Sequence, residues 1–220
     1  MAGPAELVAE RDSPRGPITL LRRGRVLELR VNGVFVMDTA ETSTERALAE
    51  AALERAPHAS SVLVGGLGLG FTAAEVLTDP RVDDLLVAEI EPAVVDWLRD
   101  GTVPHGPDLL ADDRVHVEVQ DVADVVSKSP AESLDLALLD VDNGPEYLVH
   151  AGNAELYGTS FLASARQVLR PGGVLVVWAA NRATALLESL ADVFGRAEEV
   201  PLPVRLQSRA EQYWLYLATR

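Results

Sequence analysis

Short apolar runs alternate with stretches of helical periodicity along most of this chain. In chain order, strands are predicted over 60–64, 84–90, 115–119, 134–139, 174–178, 196–204 and 212–218. Between them, the spacing of apolar residues predicts helices over 72–78, 92–100, 121–127, 159–169 and 182–194. This alternation is typical of an α/β fold in which helices cover both faces of a mostly parallel sheet. The unbroken apolar run 134–139 fits a strand that is buried on both sides.

The segment before this alternation has a different pattern. Short strands are predicted over 18–21, 26–31 and 34–37. Asn32 and Gly33 are a strong signal for a two-residue hairpin turn. We therefore divide the chain into a small antiparallel β unit at 18–41 and a main domain at 42–220. Residues 1–17 hold three prolines and show little periodicity, which predicts a loose arm.

A helix predicted over 43–56 joins the β unit to the main domain. Thr42, followed three residues later by Glu45, has the capping-box pattern. In that motif both side chains bind backbone N–H groups of the first helical turn. We therefore interpret Glu45 as a capping residue.

A glycine-rich turn follows the first strand of the main domain directly. Gly66, Gly68 and Gly70 leave no Cβ in the way of a flat or anionic ligand. Such turns also occur with nothing bound, so the turn alone is weak evidence for a cofactor. The next strand strengthens the cofactor hypothesis, because Glu89 and Glu91 end it about 20 residues after the turn. Nucleoside-binding α/β units place a carboxylate on the ribose hydroxyls at that position.

Polar residues also follow the third and fourth strands of the main domain. Gln120 and Asp121 come after the third strand, and Asp140, Asp142 and Asn143 come after the fourth. Because the carboxyl ends of parallel strands share one crevice, we expect these side chains to lie together. Asp121 by itself is explained equally well as a helix cap.

Several carboxylates at the end of one strand repel one another unless a cation relieves the charge. The sequence offers two explanations for this gathering. Carboxylates and an asparagine can bind Mg²⁺. Alternatively, the cation is a bound amine, and a carboxylate within reach is a suitable base for the proton that an attacking amine loses.

Composition limits the alternatives. The chain has 220 residues, 48% of them hydrophobic, and it contains no cysteine, which excludes disulfides, thiolate chemistry and Cys-ligated metals. Its four histidines are scattered without ligand spacing, so we expect no metal. No apolar stretch approaches the ~20 residues that cross a bilayer, and residues 1–17 lack the pattern of a leader sequence. We expect a cytoplasmic protein without a membrane partner.

The charge balance is strongly acidic. There are 34 acidic and 19 basic residues, which gives a formal net charge of −15. Such a surface repels phosphate backbones, so we expect no nucleic-acid partner, and it attracts cationic small molecules. The alternative is that the charge serves solubility alone.

With these motifs the chain resembles the spermidine synthase family, the polyamine aminopropyltransferases. The resemblance rests on residues 62–77, 88–91, 120–121, 139–145, 155–157 and 169–173. It implies the Rossmann-like fold of class I S-adenosylmethionine-dependent methyltransferases, with a seven-stranded sheet, an N-terminal β unit and a tendency to form homodimers. In that family an aminopropyl group moves from decarboxylated S-adenosylmethionine to an amine or polyamine, and methylthioadenosine is left.

The resemblance also implies a role for each motif residue. Glu89 would hold the ribose hydroxyls, Asp121 the adenine amino group, and Asp140 would take the proton from the attacking amine. The rest of the expected nucleoside site is Gly66, Gly68, Gly70, Ile90 and Gln120. The rest of the expected amine site is Asp142, Asn143 and Tyr157.

Three features depart from the family's pattern. Leu69 stands where the family's glycine loop carries an aspartate for the donor's amine. Residues 37–43 lack the glutamine, tyrosine and histidine that surround the family's amine site, and the signature after the fourth strand is two residues short. Two alternatives therefore stay open. One is a small-molecule methyltransferase that uses intact S-adenosylmethionine, and the other is a nucleoside-binding homologue without turnover.

Overall fold

The computed structural model of the chain describes residues 4–141, 143–146, 148, 151–206 and 209–220. Asp142, one of the expected site residues, lies outside the described residues. The strands are β1 Glu6–Arg11, β2 Ile18–Arg23, β3 Val26–Val31, β4 Val34–Asp38, β5 Ser61–Gly65, β6 Asp84–Glu89, β7 Val115–Val119, β8 Leu134–Leu139, β9 Leu169–Ala179, β10 Ala197–Leu206 and β11 Arg209–Thr219. The helices are α1 Ser43–Arg55, α2 Phe71–Val76, α3 Pro92–Arg99, α4 Gly106–Leu110, α5 Val122–Lys128, α6 Thr159–Val168 and α7 Thr184–Phe194, with a 3-10 helix at Ala151–Tyr157.

The large sheet confirms the predicted seven-stranded, mostly parallel architecture. Its strand order is β10-β11-β9-β8-β5-β6-β7. The strands from β9 to β7 are parallel, and β11 and β10 are added antiparallel at one edge. The strand order reverses at β5, because β6 pairs with one side of it and β8 with the other. Open α/β sheets bind ligands at the carboxyl ends of the strands at such a reversal.

Alternate residues of the central strands bury against two separate apolar layers. In β8, Leu136 and Leu138 belong to the layer that contains α1, α2 and α3. Ala137 and Leu139 belong to the layer that contains α5, α6 and α7. Every residue of β8 is buried, which confirms the prediction that this strand is covered on both faces. No described helix is long and apolar enough to traverse a lipid bilayer.

The small sheet has four antiparallel strands in the order β1-β2-β3-β4. Its three predicted strands are confirmed, and Asn32 (φ 50°) and Gly33 (φ 77°) form the predicted turn between β3 and β4. The prediction of a loose arm over 1–17 is wrong for Glu6–Arg11, which pairs with β2. The sequence pattern missed β1 because its side chains are mostly exposed and do not alternate.

The small sheet packs onto the main domain. Its buried side chains Ile18, Leu20, Leu29 and Met37 join the apolar layer of α1, α2 and α3. A unit of this size is too small to be stable alone. Its stability therefore depends on the layer that it shares with the large sheet.

The other differences concern connections. The predicted stop signal at 170–173 lies inside β9, because an irregularity of the β8–β9 register absorbs it: Leu134 pairs with Leu169, and Leu136 pairs with Val174. The connection expected to be irregular at 102–108 contains the start of α4. The 3-10 helix before α6 was also not predicted.

Candidate functional site

The carboxyl ends of β5, β6, β7 and β8 open into a cavity of about 900 Å³, the first cavity. Most of the predicted site residues line it: Gly66, Gly68, Glu89, Ile90, Gln120, Asp121, Asp140 and Asn143. The small sheet contributes Leu29, Val31 and Val36 to the same wall. The sequence predicted no role for these three residues, because nothing in their local pattern shows what their sheet packs against.

Two glycines of the loop approach their neighbours too closely for any side chain. A Cβ at Gly66 (φ +93°) would lie 2.1 Å from the carbonyl oxygen of Asp140. A Cβ at Gly68 (φ +49°) would lie 2.6 Å from Sδ of Met37 in β4. Because these two positions carry no side chain, the end of β5 can lie against the end of β8, and β4 of the small sheet can pack on the glycine loop. The glycines therefore serve packing as well as the cavity wall.

Two predicted site residues do not line the cavity. Gly70 precedes α2 with φ +87°, and a Cβ there would meet Cδ2 of Leu109 at 2.6 Å, so it faces the core. Tyr157 is buried, and its O–H donates a hydrogen bond to the Val141 carbonyl at 2.8 Å. Tyr157 therefore supports the loop that follows β8, although the sequence predicted it at the amine site.

Leu69 faces away from the cavity. Its side chain is 1% exposed and packs in the apolar layer of α1, α2 and α3. Its N–H donates to Sδ of Met37 at 3.1 Å, and its carbonyl oxygen lies 2.6 Å from Nε2 of His105. The family resemblance implies an aspartate at this position. In this chain the side chain there is a leucine that packs in the apolar core.

Glu89 holds the glycine loop together. Its Oε2 accepts the N–H groups of Leu67 (2.8 Å) and Gly68 (3.4 Å), and its Oε1 accepts that of Glu91 (2.8 Å). Burial raises the pKa of Glu89, and these three hydrogen bonds oppose the rise because they favour the charged form. Glu89 therefore lines the cavity as predicted, with most of its acceptor capacity already used by the backbone.

Asp121 is a helix cap and also lines the first cavity. It precedes α5 as the N-cap, and its Oδ1 accepts the Ala123 N–H at 2.9 Å. It also lines the first cavity beside Gln120. A helix cap at the end of a parallel strand is thus compatible with a place in the ligand site.

A second cavity of about 710 Å³ adjoins the first. Val36, Gly68, Asp140 and Asn143 line both cavities. The second cavity is acidic, with carboxylates from Asp38, Glu41, Glu45 and Asp140. Trp178 and Tyr213, whose ring centroids are 5.0 Å apart in an edge-on arrangement, form part of its apolar wall. Acids beside aromatic rings suit a ligand that carries ammonium groups on an apolar chain.

Glu45 and Asp140 form an electrostatically coupled pair at the second cavity. The hydroxyl of Thr72 donates to Oδ2 of Asp140 at 2.6 Å, and that of Thr44 donates to Oε2 of Glu45 at 2.9 Å. Burial raises the pKa of Asp140 to about 6. Burial and the negative charge of Asp140 raise the pKa of Glu45 to about 7. With both pKa values raised, the pair keeps its protons to higher pH than ordinary carboxyl groups do.

The capping-box interpretation of Glu45 is wrong. Thr42 makes no side-chain capping hydrogen bond, and the carboxylate of Glu45 bonds to Thr44. The signal that could have found this residue is its spacing to Leu48, Ala49 and Ala52, because residues three, four and seven apart share a helix face. That face of α1 is buried, so the spacing alone would have predicted a buried position for Glu45.

The alternative of a Mg²⁺ site gains no support from the described residues. Among them, no group of three or more His, Asp or Glu residues gathers closely enough to hold a metal ion. Asp142, which belonged to that hypothesis, lies outside the described residues. The hydroxyl of Thr72 contacts Oδ2 of Asp140 directly.

Three curated proteins illustrate the sequence likeness of this chain. The polyamine aminopropyltransferase of Mycobacterium tuberculosis (strain H37Rv) is 30% identical over 179 residues, 80% of this chain and 33% of that protein. Polyamine aminopropyltransferase 2 of Streptomyces coelicolor is 32% identical over 187 residues, 80% of this chain and 30% of that protein. Putrescine N-methyltransferase 2 of Nicotiana tabacum is 31% identical over 121 residues, 54% of this chain and 32% of that protein. The chain spans about one third of the length of these relatives.

Two solved structures share the fold. A spermidine synthase in complex with the transition-state analogue AdoDATO has a TM-score of 0.85 at 16% identity, covering 97% of this chain and 73% of that one. The spermidine synthase of Thermotoga maritima has a TM-score of 0.83 at 15% identity, covering 97% and 72%. The family model of the spermine/spermidine synthase domain matches residues 41–197, which include the glycine loop and the acids at the strand ends. The chain belongs to the spermine/spermidine synthase family.

Proposed function

We propose that this chain transfers an aminopropyl group from decarboxylated S-adenosylmethionine to an amine or polyamine, with Asp140 as the proton acceptor. The first cavity takes the nucleoside donor, and the second takes the amine. One observation carries the proposal: Asp140 lines both cavities, so its carboxylate lies where donor and acceptor would meet. Membership in the spermine/spermidine synthase family supports the same reaction.

The donor is proposed to lie along the edge formed by the strand ends. β7, β6, β5 and β8 are successive neighbours, so their ends span about 14 Å at the usual strand spacing. Gln120 and Asp121 follow β7 and are proposed to contact adenine, and Glu89 at the end of β6 is proposed to contact the ribose. The reacting carbon then lies toward Asp140 at the end of β8.

The proposed step is a direct substitution. The amine nitrogen attacks the aminopropyl carbon that is bonded to the sulfonium sulfur, a C–N bond forms, and the C–S bond breaks with its electron pair left on sulfur. Methylthioadenosine leaves as a neutral thioether, and Asp140 accepts the proton that the nitrogen loses. A pKa of about 6 makes Asp140 a stronger base than an ordinary carboxylate while it stays largely ionised at neutral pH.

The amine half is proposed to recognise positive charge. Asp38, Glu41 and Glu45 surround the second cavity, and an ammonium group bound there would relieve the repulsion between Glu45 and Asp140. The formal net charge of −15 also favours the approach of a polycation. These acids line the amine half of the site, where residues 37–43 lack the glutamine, tyrosine and histidine that are typical of the family.

A small-molecule methyltransferase is the second candidate, and one observation favours it. Leu69 is buried in the core, so the first cavity lacks the aspartate that grips the decarboxylated donor's amine. The likeness to a putrescine N-methyltransferase supports the same alternative. A non-catalytic role is disfavoured by the second cavity, because an open cavity lined by carboxylates adjoins Asp140.

The test is calorimetric titration with decarboxylated and with intact S-adenosylmethionine, followed by mass spectrometry of the products formed from putrescine. We expect tighter binding of the decarboxylated donor and a product that is one aminopropyl group heavier. Tighter binding of the intact donor with a methylated product would replace the proposal by the methyltransferase. Absence of heat from either donor would contradict both reactions.

A further inference from the structure

Thr72, the second residue of α2, places a buried hydroxyl beside the carboxylate of Asp140. Thr72 is 2% exposed, and its Oγ1 lies 2.6 Å from Oδ2 of Asp140, which follows β8. The same oxygen lies 3.5 Å from the backbone carbonyl oxygen of Glu45 in α1. A β-branched residue has few choices of χ1, so the position of Thr72 between α1 and the end of β8 fixes the direction of its hydroxyl.

The two carboxylate oxygens of Asp140 have different surroundings. Among the described residues, the hydroxyl of Thr72 is the only group that donates a hydrogen bond to this side chain, and it binds Oδ2. Oδ1 has no described partner but is not fully buried. Since Asp140 lines both cavities, Oδ1 remains open to a ligand there. The carboxylate thus has one anchored oxygen and one open oxygen.

The hydrogen bond from Thr72 also favours the charged form of Asp140. An ionised carboxylate accepts a hydroxyl more strongly than a neutral carboxyl group does. The bond therefore opposes the rise in pKa that burial of Asp140 causes. Without this bond, a larger fraction of Asp140 would already carry a proton at neutral pH and could not accept one from an amine.

We propose that Thr72 is a positioning residue for the proton acceptor: its hydroxyl anchors Oδ2 of Asp140 and thereby presents an ionised Oδ1 to the amine nitrogen. This inference rests on the proposed function, since it requires that Asp140 take the proton of an attacking amine. Thr72 lines neither cavity, so it acts through Asp140 and not by touching a substrate.

The other titratable groups around Asp140 are unchanged when the hydroxyl of Thr72 is removed. Among the described residues, those that share a cavity with Asp140 are Asp38, Glu41, Glu45 and Tyr213 in the second cavity and Arg15, Glu89, Glu91 and Asp121 in the first. Arg15 is paired with Glu91, because its Nε lies 2.5 Å from Oε1. Since Thr72 itself is uncharged, a shift in the titration of Asp140 after its substitution reports the lost hydrogen bond.

The test compares Thr72→Val, which replaces the hydroxyl by a methyl group, with Thr72→Ser, which keeps the hydroxyl. In Thr72→Val, kcat for aminopropyl transfer to putrescine should fall by about tenfold to a hundredfold, with KM within about threefold of the wild-type value. The acid limb of kcat/KM should move up by about 0.5–1.5 pH units, because a hydrogen bond to the charged form is lost. Thr72→Ser should keep the acid limb and hold kcat within about threefold of the wild type.

A carboxyl ¹³C NMR titration measures the pKa of Asp140 without turnover, with its signal assigned by the loss of that signal in Asp140→Asn. The midpoint should rise in Thr72→Val by the same amount as the acid limb. Thr72→Ala, which removes the hydroxyl without placing a methyl group beside the carboxylate, should raise it too. The matched control is Thr78→Val, because the hydroxyl of Thr78 is exposed and donates to the Glu75 carbonyl at 2.7 Å. This control should leave the midpoint and the acid limb in place.

The outcomes separate the two proposals. A wild-type chain that forms no aminopropyl product overturns the proposed function and this inference together. Wild-type turnover with an acid limb and a carboxyl midpoint that stay in place in Thr72→Val and Thr72→Ala overturns only the inference. Equal losses of kcat in Thr72→Val and Thr72→Ser also overturn only the inference, since packing and not the hydroxyl would then be responsible.

Discussion

The acids of the two cavities differ in what satisfies them. In the first cavity, Glu89 accepts three backbone N–H groups and thereby fixes the loop that forms the cavity wall. In the second, Asp140 and Glu45 each accept one described hydroxyl, and burial together with the negative charge of Asp140 raises the pKa of Glu45 to about 7. The first arrangement stabilises the fold without any ligand. The second costs stability until a proton or a cation arrives, which is expected where chemistry takes place.

The largest effect is expected for Asp140→Asn. Loss of the proton acceptor should lower turnover by about a hundredfold to ten-thousandfold, while nucleoside binding changes by less than about threefold. Product formation and calorimetry measure the two quantities separately. Asp124→Asn on the exposed side of α5 is the control and should leave both unchanged. Wild-type turnover from Asp140→Asn with intact nucleoside binding would contradict the role of Asp140.

Glu89→Ala tests the structural role of the first cavity's acid. It leaves two buried N–H groups and the half-buried N–H of Gly68 without their acceptor, so we expect a loss of about 2–4 kcal/mol in the free energy of unfolding and a decrease of about 5–15 °C in Tm. Asp121→Ala is a milder comparison, because it removes one capping bond, which is typically worth about 1 kcal/mol. Thermal unfolding without ligand measures both. Equal Tm values for the two variants would contradict the structural role of Glu89.

Glu45→Gln should have the opposite effect on stability. The pKa of Glu45 lies at about 7 in the folded protein against an ordinary 4.5, so the folded state binds the proton more tightly than the unfolded state. Stability from this group is therefore present at low pH and lost as the pH rises from about 4.5 through about 7. The variant should melt about 3–8 °C above the wild type at pH 8, and the difference should shrink toward pH 5.

Glu45→Gln also tests which of the two carboxyl groups ionises first. Asp140 has the lower pKa, about 6 against about 7, so it ionises while Glu45 still carries its proton, and Glu45→Gln should leave the acid limb of kcat/KM in place. A pH profile of the wild type and Glu45→Gln measures this. An acid limb that moves to lower pH in the variant would show that Glu45 is charged when Asp140 ionises and would contradict this order of ionisation.

The smallest effect is expected for Glu41→Gln. This partly exposed acid lines the second cavity, and its loss should raise KM for a diamine by about twofold to fivefold with little change in kcat, less so at high salt. Glu50→Gln on the exposed face of α1 is the matched control. An equal rise in KM from both variants would indicate general surface charge instead of a contribution from the cavity.

The gathering of strand-end residues in one cavity was predicted from the sequence, for a topological reason. Once strands and helices alternate, the carboxyl ends of neighbouring parallel strands meet at one edge whatever the details of packing. Gly66, Gln120 and Asp140 each follow a strand directly, Glu89 is the last residue of β6, and the structure places all four in one cavity. Gly70, expected at the nucleoside site, and Tyr157, expected at the amine site, do not line this cavity, because their positions depend on the core behind the wall.

Other residues of the two cavity walls could not be predicted, because they come from elements far apart in the chain. Glu45 lies on the inner face of α1, Trp178 and Tyr213 come from β9 and β11 on the other side of β8, and Arg15, in the wall of the first cavity, comes from an arm expected to be loose. No local spacing relates these positions. The capping-box pattern around Glu45 even indicated a different role.

The sequence by itself determined the α/β architecture, the order of its elements, the glycine loop and the acids at the strand ends, since each follows from short-range periodicity and strand direction. Only the tertiary structure decided that the small sheet covers the first cavity, that Leu69 faces the core, that Glu45 is coupled to Asp140 and that Arg15 holds Glu91. The physical reason is the same in each case. Burial and electrostatic coupling depend on which surfaces pack against each other, and packing joins residues that the sequence keeps apart.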